Sequence, residues 1–450
     1  MFSPSDTIVA IATPAGRGGI GVVRISGALA REVAAAIVDR REPLEPRHAT
    51  LTQVRIDAAA IDRAVVTFFP APHSYTGDDV VEISAHGSPV VLRAIVESSM
   101  RAGARLAEPG EFTFRAYLHG RMDLVQAEAV RDLVDAVTPL QARAAFDQLE
   151  GTLTARIREI DTALFELSAR LEASLDFPEE GYHFIAPGSA ATEILAICRQ
   201  IELLLADAQR GRLVREGAQV AILGKPNAGK SSLFNRLAGS GRAIVTDIPG
   251  TTRDLVTEVI DVEGMAITMV DTAGLHGAPL DVVEREGIAR ARAAEEIADL
   301  AVVVLDLSRP LNADDETLLA STKSRRRVVI ANKCDLPSAW RADDPRIGAR
   351  RVSAISGEGI DDLRRSIATE LSASERLHDT PAVTNARHVD LLSKAGAALR
   401  RAAQAAMDRT AEEFVAADLS EARTLLEEVT GARTADDVLE EIFSRFCIGK

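Results

Sequence analysis

Residues 224–231 read Gly-Lys-Pro-Asn-Ala-Gly-Lys-Ser, the spacing G-x-x-x-x-G-K-S. Such a loop lets consecutive backbone N–H groups converge on phosphate oxygens, and a helix start adds positive potential at the same place. Asn227, Ala228, Gly229, Lys230, Ser231 and Ser232 would line the phosphates, with the Lys230 ammonium on the outer ones and the Ser231 hydroxyl on Mg²⁺. The apolar run Val220–Leu223 before the loop and the helix-like Ser232–Leu237 after it supply the strand–loop–helix context that the pattern requires. Asn227 has two readings, a turn residue or a side-chain carbonyl that ligates a monovalent cation beside the phosphates.

The partner motifs follow in order. Asp271-Thr272-Ala273-Gly274 comes after the run Ala266–Val270; Asp271 can hold a Mg²⁺-bound water, and the Gly274 amide can sense a γ-phosphate. Asn332-Lys333-Cys334-Asp335 comes after Val328–Ala331. The acceptor-only carboxylate of Asp335 suits the two adjacent N–H donors on guanine's edge, and adenine presents no such pair. Lys333 would lie along the base, and Ser353-Ala354-Ile355 would offer the Ala354 amide to the guanine carbonyl. The expected ligand is therefore GTP. Thr246-Asp247-Ile248-Pro249-Gly250-Thr251-Thr252 lies between the loop and Asp271, and Thr252 is expected to complete the Mg²⁺ shell and leave with the γ-phosphate. Leu275, after Gly274, has no polar atom to orient a water as a Ras-like glutamine would. Glu284 and Glu286 are the alternatives in the following helix, and the residues alone do not choose between them.

These motifs need a scaffold. The apolar β-runs Val220–Leu223, Ala266–Val270, Ala301–Leu305, Val328–Ala331 and Arg351–Ser353 alternate with helices, the signature of a mostly parallel sheet covered on both faces. Ligands bind such sheets at the C-terminal strand ends, where the polar motifs fall. The expected fold is multidomain α/β plus all-α: a mixed α/β domain at 1–120, a helical domain at 121–216 and 380–450, and a Ras-like domain inserted at 217–379. Helical signals outside the insert are Pro89–Met100, the stripe Leu124, Ala127, Val130, Val134, Val137, a capping box at Thr138-Pro139-Leu140-Gln141, and Leu153 to Leu175 at spacings of four and three. A further helix is expected near 191–211, and Thr434 is expected to cap the last one.

In the N-terminal part, Thr7–Ile11, Ile20–Ile25 and Val80–Ile83 read as strands. Gly16-Arg17-Gly18-Gly19-Ile20-Gly21 matches G-x-G-x-x-G, but a strand rather than a helix follows, so a glycine-rich turn is expected. Arg24 and Glu82 each interrupt a β-branched run. Strand alternation can put both on a wet face; alternatively they line a pocket for an anionic heterocycle.

The 450-residue chain has room for roughly two to four domains, and it holds no apolar run long enough for a bilayer. Met1–Asp6 carries no basic-then-apolar start, and Cys198, Cys334 and Cys447 lie far apart, so a reducing cytoplasm is expected, without disulfides or a zinc site. A net charge of −15 excludes a protein that coats itself with nucleic acid, so any RNA contact is local or shared.

Taken together, the chain resembles the tRNA-modification GTPase family MnmE (TrmE). Gly16–Gly21, Pro109-Gly110-Glu111-Phe112, the GTPase motifs, the inserted-domain layout and the terminal Phe446-Cys447-Ile448-Gly449-Lys450 carry the resemblance over essentially the full length. It implies a K⁺-dependent GTPase that dimerises through its N-terminal domain and forms a heterotetramer with the FAD-containing MnmG protein. Together they would place an aminomethyl or carboxymethylaminomethyl group on C5 of the wobble uridine of certain tRNAs. The resemblance further implies that Arg24, Glu82, Arg121 and Lys450 bind a tetrahydrofolate derivative (5-formyl or 5,10-methylene). Asn227, Thr246, Ile248 and Thr251 would hold K⁺, and Glu284 would position the water. Some relatives carry Lys at position 121, which keeps the charge, and some carry Arg where His276 stands, so His276 receives no role. The competing readings are a ribosome-assembly GTPase, which a strongly basic accessory domain would favour, and a folate-binding scaffold with a GTP switch.

Overall fold

A computed structural model of the chain describes residues 5–39, 42–57, 59–176, 187–240, 257–271, 298–372, 382–408 and 412–450. They group into two compact units, Met1–Arg131 with Arg423–Lys450, and Asp132–Ala422.

The first unit opens with β1 (Ile8–Ile11), β2 (Gly18–Ser26), α1 (Ala30–Ile37), β3 (Thr50–Ile56), β4 (Ala59–Phe69), β5 (Val80–Gly87), α2 (Pro89–Arg101), β6 (Arg105–Leu106), α3 (Glu111–Leu118) and the start of α4 (Leu124–Asp135). The strands order as β3-β4-β5-β2-β1-β6 and are antiparallel except for β1 with β6. Alternation sets the faces: Val23, Ile25, Val81 and Ile83 pack under α1 and α2 with Val33, Leu92 and Ile95. Arg24 and Glu82, the intervening residues, stand directly opposite one another on the other face. The expected turn between strands falls on residues 12–17, with Gly16 at φ +118°, while Gly18 to Gly21 is drawn into β2 with a register shift; small residues suit such an irregularity. No helix opens after it, so the G-x-G-x-x-G match has no structural counterpart.

In the second unit, α5 (Pro139–Leu149) begins with the expected capping box: Gln141 N donates to Thr138 Oγ1 at 3.2 Å, and Thr138 N donates to Gln141 Oε1 at 3.1 Å. Next come α6 (Thr152–Asp176), α7 (Pro187–Leu205) and α8 (Ala208–Glu216). The single helix expected near 191–211 is thus two. The break at Ala206–Asp207 lets α8 send Leu213 into the sheet core and Val214 against Leu140 and Ala144. The sheet is built from β7 (Ala218–Gly224), β8 (Thr257–Val262), β9 (Met265–Asp271), β10 (Leu300–Asp306), β11 (Arg327–Asn332) and β12 (Arg350–Val352), with α9 (Lys230–Ser240) and α10 (Ala313–Ser321) between strands and α11 (Ile360–Ser372) after the last one. Its order is β12-β11-β10-β7-β9-β8, parallel throughout except for β8 with β9. α12 (Ala386–Met407) packs on α7, and the α6 stripe Leu153, Ile157, Ile160, Leu164, Leu167 and Leu171 is buried, as its spacing requires.

The chain ends in α13 (Glu412–Thr430) and α14 (Asp436–Ser444). Thr434 does not cap α14: Ala435 holds the N-cap position, and the Thr434 hydroxyl donates to Glu428 O at 3.4 Å. Phe443 is fully buried in the first unit, its ring edge-on to Phe114 at 5.1 Å between centroids.

Candidate functional site

β7 delivers Gly224 to the C-terminal edge of the parallel sheet, beside Val304 of β10. The loop that follows closes on itself through the first residue of α9. Lys230 is buried, and its ammonium donates to Gly224 O at 2.7 Å and Lys225 O at 3.0 Å. On the outer side, Lys225 Nζ donates to Asn312 Oδ1 at 2.8 Å and Asp315 Oδ2 at 2.7 Å, at the start of α10. Gly229 cannot be replaced at low cost: its φ is +94°, and a Cβ there would meet Asn332 Nδ2 at 2.2 Å. That close approach lets Asn332 Nδ2 donate to Ala228 O at 2.8 Å. Ser231 and Ser232 are exposed on the first turn of α9. Asn227 is exposed with φ +65°, a conformation asparagine tolerates better than most side chains.

The base-reading motif sits against this loop. Lys333, with φ +66°, donates through Nζ to Asn227 O at 2.8 Å and Asp306 Oδ2 at 2.7 Å. Asp306 ends β10 directly opposite Asn332 at the end of β11. Burial alone would raise the Asp306 pKa, but hydrogen bonds from Lys333 and Ser308 outweigh it and hold the carboxyl below its ordinary value. Asp335 is oriented by Ser353 Oγ at 2.5 Å, and Cys334 N donates to Val352 O at 3.2 Å. Burial pushes the Cys334 thiol up, away from reactivity. The Ala354 N–H lies 3.2 Å from Asn332 Oδ1, so a base carbonyl must share that donor. Residues 227–232, 332–335 and 353–355 thus meet at one edge of the sheet.

Asp271 ends β9 beside Ile222, at the same edge. Its side chain, Thr246, Asp247, Ile248, Pro249, Gly250, Thr251, Thr252, Thr272, Ala273, Gly274, Leu275, His276, Glu284 and Glu286 lie outside the described residues. Asp306, Lys225 and Arg236 escaped the sequence reading, because each acts on another side chain or carbonyl rather than within a motif. Asp306 had one usable signal, a carboxylate at the C-terminal end of an apolar run.

The first unit holds a second polar cluster. Arg24 Nε donates to Glu82 Oε1 at 2.9 Å, and the guanidinium lies 4.9 Å from the centroid of the Tyr75 ring and 5.7 Å from that of Phe112. Arg24 Nη1 is buried with no hydrogen-bond partner. A buried guanidinium N–H without an acceptor is costly, and it suits an anionic or carbonyl-bearing ligand. Lys450 joins this cluster: burial lowers its pKa, the nearby Arg24 charge lowers it further, and Cys447 and Glu82 oppose the shift. The tail reaches this place along β1. Ile448 bridges Pro109, and Gly449, at φ +99°, lies so close that a Cβ would meet Ile11 O at 2.3 Å. Arg121 is exposed after α3, its N–H donating to Ala116 O at 2.8 Å, and among the described residues its side chain makes no hydrogen bond or ion pair with Arg24 or Glu82.

These donor sets fit the groups expected of them. The Ser231 hydroxyl and the Asn227 amide oxygen suit Mg²⁺ and K⁺, and the orphaned Arg24 Nη1 with the Tyr75 and Phe112 rings suits a charged heterocycle. Among the described residues no helix is long and apolar enough to cross a membrane.

Known proteins match the chain along its whole length. Residues 7–121 match the family described as the GTP-binding protein TrmE N-terminus, and residues 124–447 match the MnmE helical domain. A tRNA modification GTPase MnmE of Koribacter versatilis is 44% identical, with 99% of each chain covered. One of Nitrosomonas europaea is 42% identical over 100% of each. Among solved structures, the G domain of the T. maritima FeoB iron transporter is 26% identical, covering 34% of this chain and 98% of its own at a TM-score of 0.27.

Proposed function

Because the chain belongs to the MnmE family of tRNA modification GTPases, we propose that it is a K⁺-dependent GTPase acting with an FAD-containing MnmG partner on tRNA. The product is an aminomethyl or carboxymethylaminomethyl group at C5 of the wobble uridine, position 34. The phosphate and base loops read GTP, Ser231 and Thr252 hold Mg²⁺, and Asn227, Thr246, Ile248 and Thr251 hold K⁺. Bound K⁺ supplies positive charge beside the phosphates, the task an arginine finger performs elsewhere. Glu284 orients the attacking water, which Leu275 cannot do.

Residues 1–120 form the folate-binding and dimerisation domain of a cytoplasmic homodimer that assembles with MnmG. Arg24, Glu82 and Lys450, with Arg121 nearby in sequence to α3, hold a tetrahydrofolate derivative that supplies the one-carbon unit. The observation that carries this reading is the buried, unpartnered Arg24 Nη1 beside two aromatic rings, in a chain that also reads guanine.

Calorimetric titration of the full chain with 5-formyltetrahydrofolate tests it. Arg24→Met and deletion of Lys450 are each expected to weaken binding about ten-fold or more, the scale of a lost charged hydrogen bond, while GTP affinity is unchanged. Undiminished folate affinity in both variants would remove the pocket from the account.

A further inference from the structure

Arg236 lies on α9, the helix that carries Lys230, and belongs to no motif. Its guanidinium extends from that helix to the base-reading loop. Nε donates to Ala354 O at 2.9 Å, and Nη2 donates to Ile355 O. Gly357 lies beside the same group, where a Cβ would stand 3.9 Å from Nη1. Ala354 is buried and Ile355 is 73% exposed, so the loop turns out to solvent at the point where Arg236 grips it.

The consequence follows from peptide geometry. The peptide unit is planar and trans, so fixing a carbonyl also fixes the N–H of the next residue, which points the opposite way. By holding the Ala354 carbonyl towards α9, Arg236 directs the Ile355 N–H away from it. The preceding peptide unit is held independently: Gly357 N donates to Ser353 O at 2.9 Å, and Ala354 N donates to Asn332 Oδ1 at 3.2 Å. The Ala354 amide is therefore already shared, whereas the Ile355 amide is the donor whose direction Arg236 sets. Asp335, held by Ser353 Oγ, reads the opposite part of the base edge.

We propose that Arg236 is a positioning residue for guanine recognition, aiming the Ile355 N–H at the base O6 and tying the base loop to the phosphate-loop helix. The arrangement couples the two halves of the nucleotide site, so losing it loosens the base while leaving the phosphates held.

The test uses the full chain with Arg236→Met, which keeps the apolar stem, and Arg236→Lys, which restores a cationic donor. Release of a fluorescent GDP analogue is measured by stopped flow, a rate that reads only molecules holding nucleotide, so a partly unfolded preparation does not distort it. Competition then compares GTP with two analogues. 6-Thioguanosine triphosphate keeps N1–H and the 2-amino group but replaces O6 with a poorer acceptor. Inosine triphosphate keeps O6 and lacks the 2-amino group that Asp335 reads. Arg236→Met is expected to release nucleotide about ten-fold faster. Its preference for GTP over the 6-thio analogue should shrink while its preference over inosine triphosphate stays, with Arg236→Lys recovering most of both effects. KM should rise with kcat at saturation within about two-fold of wild type, the mark of lost binding shared equally by the ground and transition states. An unchanged release rate would overturn the proposal. So would an equal loss of both preferences, which would mean general loosening of the site.

Discussion

The Lys333 ammonium sits between a phosphate-loop carbonyl and the Asp306 carboxylate, so the base-reading motif is braced by a residue outside it. That brace is pH-dependent. The folded-state pKa of Asp306 is depressed, so its contribution is fully present above the ordinary carboxylate value of 3.8 and disappears as pH falls through the lowered folded value. Asp306→Asn should cost about 1.5–3 kcal/mol at neutral pH, the range for hydrogen bonds to a charged group. Urea unfolding of both proteins across pH is expected to show curves that separate at neutrality and converge in acid; a constant offset at all pH values would contradict the brace. At this scale the sequence was legible where a motif names its own chemistry, as in Lys230, Asn332 and Asp335. It was silent where a residue works through a neighbour. Beyond its place at the end of an apolar run, nothing local distinguishes Asp306 from any strand-end carboxylate, and nothing local distinguishes Arg236 from a solvated helix position.

Among the elements, the phosphate loop is the one most completely encoded, since strand, loop and helix are consecutive in sequence. Its conformation depends on φ +65° at Asn227 and φ +94° at Gly229, which place the Asn227 side chain at the surface of the loop. If that side chain ligates K⁺, hydrolysis should run at least about ten-fold faster in KCl than in NaCl at equal ionic strength, a loss of charge stabilisation of the kind a missing arginine finger causes. Asn227→Ala should abolish the difference; equal wild-type rates in the two salts would remove the K⁺ assignment. Long elements with a clean period, such as α6 and β10, could be read directly. β8 (Thr-Glu-Val-Ile-Asp-Val) was not, because half its residues are polar at the sheet edge. Its hairpin had a signal in Glu263-Gly264, both at positive φ, with Gly264 N donating to Asp261 Oδ1 at 2.7 Å. β4 was similarly hidden by Asp62 and Arg63, which interrupt the apolar alternation of its first half. The break between α7 and α8 has no glycine or proline at Ala206-Asp207 to mark it, although the chain turns there from the apolar end of α7 to the arginine-rich start of α8.

For the whole molecule, periodicity shows that a helix has an apolar face but not which core receives it. The division between the units falls inside α4 and inside α13, and α14 joins the N-terminal unit through Phe443 and the aromatic side chains of α3. That placement brings Lys450 to Arg24, a juxtaposition separated by most of the sequence and visible beforehand only through resemblance. With a net charge of −15, the chain has no broad electrostatic hold on RNA, which fits an enzyme whose tRNA contact is local or shared with a partner. The central claim, that this GTPase serves wobble-uridine modification, is tested most directly by nucleoside mass spectrometry of tRNA from a strain lacking the protein. The account predicts wobble uridine without its C5 aminomethyl or carboxymethylaminomethyl group, restored by the wild-type chain and not by Lys230→Ala. An unchanged nucleoside profile in the deletion strain, accompanied by immature ribosomal subunits, would contradict it.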